Sequence, residues 1–184
     1  MEALLVSVGI VALGEIGDKT QLLALVLAAR YARPAPIIVG ICAATLLNHT
    51  LAGALGAWIR HVASPEVLRW VLAFGFLAMA AWALRPDTHD GEAPPAGRFG
   101  VFGVTLVAFF LAEMGDKTQV ATVALAARYE ALASVVLGTT LGMLAANVPV
   151  VLLAGRAAKK IPFRVVRYVS AALFAATGVW TLLA

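Results

Sequence analysis

Nearly two-thirds of this chain is apolar, and the apolar residues run in long unbroken stretches. That feature confines it to the bilayer. The 184 residues are 62% hydrophobic and 13% charged, with a mean hydropathy of +0.93. A soluble domain carries about 25% charged residues. Six apolar segments are predicted, at about 3–29, 37–59, 67–84, 99–127, 132–155 and 165–183. Each is long enough to cross a hydrocarbon core of about 30 Å as a helix. None alternates with a period of two, which excludes barrel strands. The fold class is therefore all-α, an integral membrane protein of six transmembrane helices. Ser64 and Pro65 mark the start of the third helix as N-cap and first helical position. The polar stretch 86–98, with Asp87, His89, Pro94 and Pro95, cannot span and reads as a linker.

Two polar heptapeptides interrupt this pattern. Glu15-Ile16-Gly17-Asp18-Lys19-Thr20-Gln21 recurs as Glu113-Met114-Gly115-Asp116-Lys117-Thr118-Gln119, 98 residues later. The same offset carries Ala28-Ala29-Arg30-Tyr31 onto Ala126-Ala127-Arg128-Tyr129, Gly40 onto Gly138 and Trp82 onto Trp180. So long a shared register argues for duplication, into a first repeat at 1–85 and a second at 99–184. Three helices per repeat is an odd number, so the second copy is inverted. Inverted repeats with a site at their interface are a common transporter plan.

Loop charge sets the orientation. Arg30, Arg33, Arg85, Arg98, Arg156, Lys159, Lys160, Arg164 and Arg167 fall on one side; Arg60, Arg69 and Arg128 fall on the other. The richer side is cytoplasmic by the positive-inside rule, which puts both termini outside and the linker inside. The first segment has no basic leader and no Ala-x-Ala stop, so it is expected to remain as a helix. The net charge of +4 is loop-borne and does not suggest nucleic acid as a partner.

Each heptapeptide lies near mid-membrane. Glu15 is 12 residues past Ala3, and Asp18 is 12 before Arg30. At about 1.5 Å per residue, both are roughly 18 Å from their segment ends. Ionisable residues at that depth are costly and mark ion or substrate paths. In an unbroken helix Glu15, Asp18 and Gln21, at i, i+3 spacing, would share one face. Gly17 instead permits a break there, whose freed carbonyls would have to line the site. Carboxylate, amide and hydroxyl oxygens suit manganese, calcium or magnesium. Cys42 is the lone cysteine, and His49, His61 and His89 are scattered, which disfavours zinc or copper. Four carboxylates and two lysines sum to −2, a charge that one divalent cation or two protons would neutralise. Burial favours a neutral acid and a nearby cation favours the carboxylate, so one site could carry either. The alternative is that Lys19 and Lys117 stay paired with Glu15 and Glu113 at i,i+4 as structural glue.

The paired Glu-x-Gly-Asp-Lys-Thr motifs, in a six-helix chain with a short polar centre, resemble the small family of divalent cation/proton exchangers. That family includes the Golgi manganese/calcium transporters and bacterial manganese exporters. The resemblance covers nearly the whole chain. It implies that Glu15, Asp18, Glu113 and Asp116 bind the metal, with Gly17, Lys19, Thr20, Gly115, Lys117 and Thr118 completing the motifs. Gln21 and Gln119 are added to the ligand candidates. Asn48, His49 and Asn147 are candidates for a surrounding shell or for interhelical hydrogen bonds. Gly40-x-x-x-Ala44 and Gly138-x-x-x-Gly142 predict close helix packing, and Pro149 a kink. Trp58, Trp70, Trp82 and Trp180 read as interface anchors.

The expected function is export of manganese or calcium across the cytoplasmic membrane in exchange for protons, with no enzymatic activity and no bound cofactor. The expected partners are the metal ions, protons and lipid. A passive channel or a structural subunit are the rivals. An intramembrane enzyme lacks support, because Ser7, Ser134 and Ser170 have no evident activating partners. Two halves in one chain make a monomer sufficient but leave the oligomeric state open.

Overall fold

The computed structural model describes residues 1–85, 99–153 and 163–183. Within them the chain forms helices and no strand: α1 (Glu2–Glu15), α2 (Lys19–Tyr31), α3 (Pro34–Val62), α4 (Pro65–Ala83), α5 (Gly100–Glu113), α6 (Lys117–Arg128), α7 (Leu132–Leu152) and α8 (Phe163–Leu183). The linker 86–98 with His89, and the basic residues Arg156, Lys159 and Lys160, lie outside the described residues, as do the side chains of Arg164 and Arg167.

The second, third and fifth predicted segments appear as α3, α4 and α7, each long and apolar enough to cross a membrane. Ser64 caps α4 as predicted, its hydroxyl oxygen accepting the Val67 N–H at 3.4 Å. The first and fourth segments are not continuous. Each is two helices, α1–α2 and α5–α6, joined by a three-residue break inside the heptapeptide. Gly17 and Gly115 turn these breaks at φ of +85° and +74°, in the left-handed region where a side chain is strained.

The two halves interleave. α1 lies along α7, and α5 lies along α3, so each broken pair rests on the long helix of the other half. The predicted small-residue ridges make these contacts. A Cβ at Gly138 would fall 2.6 Å from the Leu4 carbonyl oxygen, and one at Gly40 would fall 2.8 Å from Thr105 Cβ. Leu4 and Phe102, and Ser7 and Thr105, are related by the same 98-residue offset.

Two apolar clusters fill the interior. One packs α4 and α8 against α1 and α6, with Leu72, Phe76, Leu125 and Phe174 among its members. The other joins α2, α3, α5 and α7 through Leu27, Ile41, Phe109 and Met143, and takes no described residue of α4 or α8. Outward faces stay apolar, with Leu51, Val71, Phe74 and Leu141 exposed. A helix apolar on every side is suited to lipid. All four tryptophans are exposed as well. At one end, Arg60 donates to the Tyr129 carbonyl at 2.6 Å and the Tyr129 hydroxyl bonds Glu2 at 3.1 Å. This gathers the N-terminus, the end of α3 and the α6–α7 turn, three places that loop charge had put on one side.

Candidate functional site

The breaks bring both heptapeptides to the centre of the bundle. Glu15 ends α1 and Asp18 caps α2; Glu113 ends α5 and Asp116 caps α6. The expectation that Glu15, Asp18 and Gln21 share one helical face is therefore corrected. The left-handed glycine intervenes, and the carboxylates belong to different helices.

A broken helix frees backbone groups that lipid cannot satisfy, and side chains of these same motifs and their neighbours satisfy them. Gln21 Oε1 accepts the Gly17 N–H at 2.9 Å, and Gln119 Oε1 accepts the Gly115 N–H at 2.7 Å. The Ser170 hydroxyl donates to the Leu13 carbonyl, and Asn48 Nδ2 donates to the Phe110 carbonyl at 3.1 Å. The amide nitrogens of the glutamines reach across the bundle, Gln21 to the Ala146 carbonyl at 3.0 Å and Gln119 to Asn48 Oδ1 at 2.6 Å.

The four acids are buried, Glu15, Asp18 and Glu113 completely and Asp116 to within 2%. The lysines do not pair with their own glutamates. Lys117 Nζ lies 2.8 Å from Asp18 Oδ1, and Lys19 Nζ lies 3.2 Å from Asp116 Oδ1. Each ammonium thus neutralises the aspartate of the other heptapeptide. The i,i+4 pairing considered from sequence fails because Lys19 and Lys117 open new helices beyond the breaks. The glutamates are held by hydroxyls instead. Thr20 donates to Glu15 Oε1, which also accepts Asn147 Nδ2 at 3.0 Å. Thr118 donates to Glu113 Oε2 at 2.8 Å.

Every one of these carboxylates has one oxygen engaged and one buried without a donor: Glu15 Oε2, Asp18 Oδ2, Glu113 Oε1 and Asp116 Oδ2. Asn147 Oδ1 and both ring nitrogens of His49 are buried and unpartnered too. Buried polar atoms are rarely left so, and a cluster of lone acceptors is the chemistry of a cation site. In this arrangement the two ammoniums sit on the aspartates. Among the described residues, no three His, Cys, Asp or Glu side chains lie close enough together to hold a metal ion. Beside Lys117, a cavity of about 10 Å³ lined by Gly14, Gly17, Ala83, Arg85 and Ser170 has room for about one water molecule.

The two sides of the site are not equivalent. Lys117 keeps only 5% of its side-chain surface, whereas Lys19 keeps 31%. The packing around them is one-sided: α4 lies against α6, with α8 on α4 and α1, whereas α2 packs against α3, α5 and α7. The four acids named from sequence are all buried at the two breaks. Sequence reasoning missed the crossed ion pairs and the work of Ser170, whose only signal was a hydroxyl in an apolar helix. Asn48 and Asn147, predicted as interhelical hydrogen-bonding groups, are so placed. His49 makes no such bond. Pro149 lies inside α7, near its end.

The model of the family described as divalent cation/proton antiporter GDT1 matches residues 3–91 and 101–184. The chain is 54% identical over 175 residues to the "Putative manganese exporter" of Vibrio cholerae, covering 95% of this chain and 87% of that protein. It is 29% identical over 199 residues to GDT1-like protein sll0615 of Synechocystis, covering 95% of each. GDT1-like protein 3 of Oryza sativa subsp. indica is 28% identical over 200 residues, 94% of this chain and 71% of the relative. No solved structure matches the chain.

Proposed function

The chain belongs to the GDT1 family of divalent cation/proton antiporters, and from that membership we propose that it exports manganese in exchange for protons through the buried site between its two heptapeptides. Divalent cation transport follows from the family; manganese as the first substrate is supported by the relative from Vibrio cholerae. The observation that carries the siting is the set of four buried carboxylate oxygens, one on each motif acid, that have no donor.

Glu15, Asp18, Glu113 and Asp116 are the proposed ligands. Gln21 and Gln119, candidates from sequence, hold the breaks in shape through the glycine N–H groups. Lys19 and Lys117 act as tethered cations. Each occupies the place beside an aspartate that an ion would take, and the entering metal displaces it. Four carboxylates and two ammoniums leave −2, which one divalent ion or two protons balance. A site that must accept one or the other couples the two flows.

The proposed topology is six spans in two inverted repeats, 1–85 and 99–184, joined by a cytoplasmic linker at 86–98. Both termini face outward across the cytoplasmic membrane. No chemical step is assigned to the protein.

The test is metal-driven proton flux in proteoliposomes, with manganese and then calcium added to one side and internal pH followed. Wild type should move protons, and Asp18→Asn and Asp116→Asn should each abolish the flux. Metal entry without a pH change would replace the exchanger with a channel. No movement of either ion by correctly inserted protein would leave only a structural subunit.

A further inference from the structure

His49 is wholly buried on α3, and neither ring nitrogen has a hydrogen-bond partner. The proposed exchange does not use it. The 98-residue offset gives its counterpart. Gln21 reaches the backbone of Ala146, and Gln119 reaches Asn48; Ala146 and Asn48 are offset partners. The next residue on each long helix is then Asn147 in one half and His49 in the other. Asn147 bonds Glu15 at 3.0 Å and keeps its Oδ1 without a donor. By the same offset His49 is the counterpart of Asn147, and Glu113, the counterpart of Glu15, also keeps an oxygen, Oε1, without a donor.

We infer that His49 supplies an imidazole nitrogen ligand to the transported cation on the Glu113 side of the site, as Asn147 supplies an amide oxygen on the Glu15 side. The inference rests on the proposed reading of the four acids as the metal site. Its chemistry follows from ligand type. A neutral imidazole is a common ligand of first-row transition ions, while calcium and magnesium prefer oxygen alone. An all-oxygen site would treat manganese and calcium alike apart from size. One nitrogen donor tilts the site toward manganese and its transition-metal neighbours. It also accounts for a buried ring left without a partner, which protein interiors otherwise avoid.

The direct test is pulsed electron paramagnetic resonance of manganese bound to the purified protein. With His61→Ala and His89→Ala as background, His49 is the sole imidazole. Nitrogen modulation of the manganese echo should appear and should change pattern when histidine is labelled with nitrogen-15. A bound ion whose echo is indifferent to the label overturns the inference, and this reading needs no variant at position 49. Transport gives the second arm. His49→Asn, which makes the two halves alike, should raise the manganese KM about tenfold, as loss of a group supporting a metal commonly does, and leave the calcium KM within about twofold of wild type. Equal shifts for both ions would reduce His49 to a packing residue. If Asp18→Asn and Asp116→Asn leave manganese binding intact, the site itself lies elsewhere and both readings fall. If they abolish it while the label has no effect, only the role of His49 falls.

Discussion

Replacing Lys117 with methionine removes the ammonium 2.8 Å from Asp18 and leaves an apolar side chain of similar length. Asp18 has no exposed surface, so its carboxylate would stay buried without a counter-charge. Breaking a buried pair from one side costs about 3–5 kcal/mol. Lys19→Met removes the mirror contact, at 3.2 Å, but that lysine keeps 31% of its side-chain surface. Solvent already weakens the pair, and the loss should be about 1 kcal/mol or less. For chains of this size about 2–4 °C accompanies each kcal/mol, so Lys117→Met should lower the unfolding midpoint by roughly 10 °C and Lys19→Met by no more than about 4 °C. The assay is loss of the monodisperse peak of detergent-solubilised protein after heating. Manganese sharpens it. A ligand at a hundred times its Kd stabilises by about 2.7 kcal/mol, and without a competing ammonium a given concentration of manganese lies further above the Kd. The ion should therefore restore Lys117→Met by more than it raises wild type. Equal losses from the two lysines would refute the argument from burial. A loss that manganese repairs no better than in wild type would refute competition between ammonium and metal.

Gly17→Ala and Gly115→Ala force a side chain into the left-handed region at φ of +85° and +74°, a strain of about 1–3 kcal/mol each; vesicles carrying either variant should show normal insertion and sharply reduced manganese flux. Asn147→Ala removes the amide that bonds Glu15 at 3.0 Å and should raise the manganese KM by about 10–100-fold in a flux assay. Gly138→Ala places a methyl group 2.6 Å from a backbone carbonyl of α1 and should destabilise by about 1–3 kcal/mol. Gly75→Ala meets nothing within 4 Å, so it should be neutral or slightly stabilising in the same thermal measurement, since alanine is the better helix former.

Much of this was legible in the sequence because the bilayer punishes exceptions. Charges are so unwelcome in apolar runs that Glu15, Asp18, Glu113 and Asp116 announce themselves. Their repetition in one register is what joins them in one proposed site. Ser64 and Pro65 gave the start of α4 because capping is local chemistry. The pairing of the lysines was not legible. Whether Lys117 meets Glu113 or Asp18 depends on how two chain segments 99 residues apart cross. The breaks at Gly17 and Gly115 were foreseeable as an option and no more, because glycine allows the left-handed turn without requiring it. The difference in cover between Lys19 and Lys117 had no sequence signal at all. Both sit in the same heptapeptide pattern, and only the packing of α4 against α6 tells them apart.

Interleaving of the halves has a consequence for how the protein is made. Ser7 packs against Gly138, and Asp18 waits for an ammonium 99 residues downstream. At a synthesis rate of about 5–20 residues per second, the first broken helix spends roughly 5–20 s without its counter-charge. During that interval a buried aspartate and an uncapped Leu13 carbonyl have no native partner. The nascent first half is therefore the vulnerable species, open to holding factors and to degradation. A pause in translation before α6 would lengthen its exposure without altering one residue of the finished protein.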